Sequence, residues 1–160
     1  MINKVFMDKF STGIKVLINR KETITFGVQV GSNLKAGDIV ILSGQIGAGK
    51  TTLIKGIAQF MEVKGLINSP TFLLVHNHYS RNDKPNLIHA DIYKVLSNPK
   101  LDLIMLLDLI SPDFYLNNSV VVIEWGESLG EILSNNYLYI HLFKDSKTNM
   151  RKAIWQWSSS

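Results

Sequence analysis

Residues 38–52 read DIVILSGQIGAGKTT, an apolar β-branched run that breaks into glycines and closes on Lys50-Thr51-Thr52. Asp38 to Leu42 has the form of a buried strand, and Ser43-Gly44 ends it. The next eight residues, Gly44 to Thr51, carry glycine, lysine and threonine at the Walker A spacing. Glycine is needed there because backbone amides must turn inward around phosphate oxygens without a Cβ in the way. Lys50 is placed to neutralise β and γ phosphates, and the Thr51 hydroxyl to reach Mg²⁺. A helix is expected from Lys50, with its positive N-terminus facing the anion. Leu53, Ile57, Phe60 and Met61 recur at helical spacing and give that helix one face to lay on a sheet.

A nucleotide-hydrolysing site also needs an acid at the end of a neighbouring strand. Val120 to Ile123 is the most β-prone run in the chain and delivers Glu124 and Trp125, which makes Glu124 the leading candidate for the metal's water shell. Asp91 is the second, on an expected strand Leu87 to Ile92 where His89 shares its face. A cap on a turn or a pairing with Lys94 is an equal reading of Asp91, and a satisfied core histidine the commoner reading of His89. Thr71, in Ser69-Pro70-Thr71-Phe72, is a candidate sensor of the γ-phosphate or a simple turn hydroxyl. Phe72 to Val75 is expected as a strand, joined to Leu87 across an exposed turn at Ser80 to Asn86, so a mixed sheet is anticipated. Leu101 to Ile110, lying between Pro99 and Pro112, is expected as a buried helix. Tyr137 to Phe143 and Ala153 to Trp157 complete the strands, and Trp125, Trp155 and Trp157 are taken as core.

The chain has 160 residues and no cysteine. One domain is expected at this length, and neither a disulfide framework nor a thiolate metal site is possible. No stretch has the length and apolarity of a membrane span, so a soluble, cytoplasmic protein is the expectation. A formal charge of +4 suits a polyanionic partner as well as it suits a mildly basic surface with no partner. Absence of an NKxD motif disfavours a GTPase. Leu42 to Gln45 reads LSGQ, but it overlaps the phosphate loop and is no separate transporter signature.

Taken together and in order, GQIGAGKTT, SPTF, HADIYK and Glu-Trp resemble the TsaE (YjeE) family, the ATPase subunit of bacterial tRNA threonylcarbamoyladenosine synthesis. The resemblance implies a P-loop NTPase fold, a three-layer α/β/α sandwich with a mixed parallel and antiparallel sheet. It implies ATP held by Gly44, Gln45, Ile46, Gly47, Ala48, Gly49, Lys50, Thr51 and Thr52, and Mg²⁺ held by Thr51 and Glu124. Lys50, Asp91, Glu124 and Thr71 would then be catalytic, with Trp125 beside the acid. Thr23 to Gly27 resembles an early family segment that starts a helix near the nucleotide, which resolves a stretch whose periodicity fits helix and strand equally. Arg151 stands where the family often places an arginine toward the nucleotide. Implied partners are subunits of the TsaD and TsaB type, with tRNA adenosine 37 as the modified base and tRNA contacted indirectly. Gln45, Lys94 and Met150 depart from the family's usual Asp, Arg and Gly, and Lys94 lacks a bidentate guanidinium. A small-molecule kinase and an ATP-dependent assembly module with negligible turnover are the alternatives.

Overall fold

A computed structural model of the chain describes residues 11–70, 74–96, 108, 118–129, 133 and 137–158. Its elements run β1 (Thr12–Leu17), α1 (Arg20–Gly31), β2 (Ile39–Ser43), α2 (Lys50–Phe60), β3 (Val75–His78), β4 (Asn86–Asp91) and α3 (Tyr93–Leu96). Then come β5 (Ser119–Glu124), a 3-10 turn at Gly126–Leu129, β6 (Tyr137–Lys144) and β7 (Arg151–Trp157). Among the described residues no helix is long and apolar enough to cross a membrane.

All seven strands of the described residues join one sheet in the order β1-β7-β6-β2-β5-β4-β3. The inner four, β6, β2, β5 and β4, are parallel, while β3, β7 and β1 add antiparallel edges. Composition explains the difference. Every residue of β5 is buried, as expected of a strand covered on both faces, whereas β6 alternates between buried and half-buried positions. The mixed sheet anticipated from the sequence is present, and β2 sits at its centre between two parallel neighbours.

Helices α1 and α2 cover one face, packing Phe26, Val30, Leu53 and Ile57 against Val40, Leu42, Val122 and Ile140. On the other face Ile41, Ile88, Val121 and Ile123 are buried, with Val95 and Leu129 packed on them. The start of α1 is set by Asn19, whose side chain accepts from Glu22 N at 2.9 Å, while Glu22 Oε2 accepts from Ile18 N at 2.9 Å. The two helices cross so closely that a Cβ on Gly56 would lie 2.1 Å from Ile24 O and 2.7 Å from Gly27 Cα. Helix is therefore the state of Thr23 to Gly27, but its buried stripe is Thr23, Phe26, Gly27, Val30 and Gly31. Ile24 and Val28 are half-buried at its margin.

Other boundaries differ from expectation for physical reasons. Of the strand expected over Phe72 to Val75, Phe72 and Leu73 lie outside the described residues; the described strand runs Val75–His78, an edge strand that pairs with β4 and needs no apolar run. β1 carries no apolar block and was not foreseen; its pairing with β7 along six residues makes it a strand. Trp155 and Trp157 are core, whereas Trp125 is only partly buried. The helix expected over Leu101 to Ile110 lies outside the described residues, apart from Asp108, as does Thr71.

Candidate functional site

The carboxyl ends of the parallel strands converge, and the crevice outside them is where α/β sheets bind ligands. β2 ends there at Ser43, β5 at Glu124 and β4 at Asp91, with Leu42 opposite Glu124 and Glu124 opposite Asp91 in register. The turn from β2 into α2 has Gly44, Gly47 and Gly49 at φ of 132°, 77° and 104°, conformations that L side chains rarely adopt. Next to it opens a cleft of about 350 Å³, lined in part by Gly47, Lys50, Thr51, Asp91, Glu124 and Trp125.

Inside the cleft the groups are already paired with one another. Thr51 Oγ1 donates to Glu124 Oε1 at 3.0 Å, and His89 Nε2 meets the same oxygen at 2.8 Å. Lys50 Nζ donates to Gly44 O at 2.6 Å and Gln45 O at 3.2 Å, and stands 3.6 Å from the centre of the Trp125 ring. Burial pushes the Lys50 ammonium below its ordinary value, while Glu124, Glu127 and Asp91 pull it back up. An added anion would act in the same direction as those carboxylates, so this lysine is disposed to gain one. Asp91 accepts from Ser69 Oγ at 2.6 Å and from Tyr93 N at 3.0 Å, so its carboxylate caps the entry to α3 and lines the cleft at once.

Trp125 follows Glu124 at φ 67°, a left-handed conformation costing a bulky residue on the order of 1–3 kcal/mol. Its amide donates to Leu42 O at 2.8 Å, holding the strand end while the indole covers Lys50 and packs against Tyr93 at 5.0 Å. Arg151, at the start of β7, donates from Nε to Ala48 O at 3.0 Å and so ties β7 to the glycine loop. At the end of β2, Ser43 Oγ bonds Glu127 and lies 2.9 Å from His141 Nδ1.

Among known proteins, the family model described as "Threonylcarbamoyl adenosine biosynthesis protein TsaE" matches residues 17–153. The chain belongs to the TsaE family. It is 44% identical over 149 residues to the tRNA threonylcarbamoyladenosine biosynthesis protein TsaE of Mycobacterium tuberculosis, covering 92% of this chain and 89% of that one. It is 30% identical to the protein of that name in Bacillus subtilis over 77% of this chain and 72% of that one. The crystal structure of Bacillus subtilis YdiB superposes with a TM-score of 0.70 at 22% identity, covering 94% of this chain and 88% of that one, which supports the α/β P-loop fold.

Within this TsaE fold the residues singled out from sequence do not all reach the cleft. Ile46, Gly47, Gly49, Lys50, Thr51, Thr52, Asp91, Glu124 and Arg151 line it. Gly44 begins the loop, close against Leu142 O; Ala48 is fully buried behind it and contributes its carbonyl to Arg151. The Gln45 side chain turns away to Lys144 O at 3.3 Å. Thr23 is fully buried, its hydroxyl donating to Asn19 O at 3.2 Å and its methyl behind Gly49, so it backs the loop rather than facing the cleft. Sequence reasoning passed over Ser69 and Tyr93. Ser69 stood two residues from Thr71 in the quoted motif, but nothing local says that its hydroxyl reaches a carboxylate 22 positions away.

Proposed function

We propose that this chain binds ATP with Mg²⁺ in the cleft at the carboxyl edge of its sheet and hydrolyses it in support of tRNA threonylcarbamoyladenosine biosynthesis. The observation carrying the reading is the meeting of Thr51 and Glu124 at 3.0 Å beside a buried lysine at the mouth of a positive-φ glycine loop. That donor set fits a hard divalent cation: a hydroxyl and a carboxylate, with room in the cleft for phosphate and water. When bound, Mg²⁺ supplies neutralisation of charge on the phosphate oxygens.

The chain's own groups do the rest. Main-chain N–H groups of the loop donate to the phosphates, apart from that of Ala48, which donates to Gln45 O at 3.1 Å, and the N-terminus of α2 assists them. Lys50 exchanges its carbonyl partners Gly44 and Gln45 for phosphate oxygens, an exchange favoured because a charged acceptor makes the stronger bond. Thr51 and Glu124 orient the metal's shell. Asp91, held by Ser69 and Tyr93 N, orients the attacking water and takes its proton as the oxygen–phosphorus bond forms and ADP departs. Arg151 steadies the loop through Ala48, and Thr71 is assigned a γ-phosphate sensing role by the SPTF motif. The cytoplasm and association with subunits of the TsaD and TsaB type belong to this reading, supported by membership of a tRNA threonylcarbamoyladenosine biosynthesis family.

Asp91→Ala tests it in the presence of those subunits. Affinity for Mg-ATP stays within about threefold of the parent while turnover falls by about a hundredfold, as for loss of a general base. Unchanged turnover removes Asp91 from the chemistry. Failure of the parent chain to bind ATP at all removes the whole reading.

A further inference from the structure

We infer that His89 is the positioning residue for the metal-holding carboxylate: it orients Glu124 and thereby sets the affinity of the site for its divalent cation. The inference rests on the assignment of Glu124 to the metal and extends it to a residue that never touches nucleotide.

Three observations carry it. His89 is fully buried, so its polar edge has no water to serve. Its Nε2 lies 2.8 Å from Glu124 Oε1, and since an ionised carboxylate only accepts, the ring is the donor. That same oxygen accepts Thr51 Oγ1, while Oε2 is 3.3 Å from the hydroxyl and receives no bond from His89. The imidazole therefore occupies one lone pair of Oε1 and stops the carboxylate from rotating about its terminal bond.

Topology explains why a histidine can do this. In the parallel ladder His89 sits opposite Val122, two residues before Glu124 on the same face, so the contact is diagonal and needs a long, rigid side chain. The alternative role, a merely structural histidine, predicts a ring satisfied on both sides. Among the described residues His89 Nδ1 instead has no hydrogen-bond partner, while Nε2 is bonded to the acid. Burying an unpaired ring nitrogen costs free energy, so the placement favours the carboxylate contact over packing convenience. Outer-shell partners of metal-ligating carboxylates commonly change metal affinity by about 10–100-fold when removed.

Three variants and two readouts test the inference. His89→Leu keeps comparable volume without a donor, His89→Asn keeps polarity but is too short to reach Glu124, and His89→Gln restores an N–H at about the position of Nε2. ATP binding is measured in EDTA and across a Mg²⁺ titration, and Mn²⁺ bound to the protein–ATP complex is followed by electron paramagnetic resonance. Leu and Asn are expected to raise the half-saturating Mg²⁺ concentration about tenfold or more and to broaden or lose the bound Mn²⁺ signal. Gln is expected to recover most of both, and binding in EDTA to stay unchanged in all three. A folded Leu or Asn variant with the parent's Mg²⁺ requirement overturns the positioning role, as does Gln behaving like Leu. A parent chain whose ATP binding ignores Mg²⁺ overturns instead the assignment of Glu124 to the metal.

Discussion

At the scale of single residues, the site is a set of buried charges that hold one another in place. Lys50, Asp91 and Glu124 are each at most 5% exposed, and each has a partner that is short and directional. A second buried group, His78, has a measurable consequence away from the chemistry. Burial, reinforced by the neighbouring imidazoles of His76 and His89, pushes it from 6.5 down to about 4. The unfolded chain therefore takes up a proton before the folded one does, and stability falls as pH drops from 6.5 through 4. The linkage amounts to about 3 kcal/mol once both values are passed. Urea unfolding of His78→Leu at pH 7 and pH 4 should show a stability difference smaller than the parent's by about that amount. An identical acid limb would show that His78 is not charged on unfolding. His141, also lowered by burial, adds a limb of the same sign that this variant leaves in place.

At the scale of elements, the contact that positions the glycine loop between β2 and α2 is the crossing of α1 over α2. Gly27 and Gly56 bring the helix backbones together, so α2 lies flat on the sheet and its N-terminus is aimed at the cleft. Alanine ordinarily stabilises a helix interior by about 1 kcal/mol over glycine. Here the sign reverses, because the new methyl at Gly56 would meet backbone atoms that no side-chain rotation can move. Gly56→Ala should lower unfolding free energy by about 2 kcal/mol or more and weaken ATP binding with it, measured by denaturant titration and nucleotide affinity on the same preparation. A stabilised variant would mean the helices can separate without cost. Helical spacing in α2 was legible, since Leu53, Ile57 and Met61 are buried as their period predicts. In α1 the period was ambiguous, because Ile24 and Val28 are as apolar as the buried Val30, and only the position of α2 distinguishes the faces.

At the scale of the whole molecule, one sheet carries two architectures. Its parallel centre is buried on both faces and ends in the site; the half formed by β6, β7 and β1, antiparallel outward from β6, leaves Ile14, Val16 and Phe143 exposed on the face away from α1. Arg151 links that half to the loop, so ligand bound at the centre should stabilise the sheet as a unit. At ATP a hundredfold above its dissociation constant, with Mg²⁺, the linkage is about 2.7 kcal/mol, or an upward shift in Tm of about 5–10 °C. Lys50→Ala should abolish most of that shift, read as the difference between the variant's own Tm with and without Mg-ATP. A parent chain whose Tm ignores Mg-ATP would argue against nucleotide binding at this cleft.

What the amino-acid order determined alone was local: a strand, a loop that only glycine can turn, a helix start, and acids delivered to strand ends. These are legible because backbone sterics and hydrophobic period act over a few residues. Distances between chain-remote groups were not available there. That Ser69 reaches Asp91, that His89 pairs with Glu124 across 35 positions, that Trp125 covers Lys50 from the margin of the core and that Thr23 backs the loop are decided by strand register and helix packing. Those follow from burial of whole faces, a cooperative property of the tertiary structure that no short window of sequence contains.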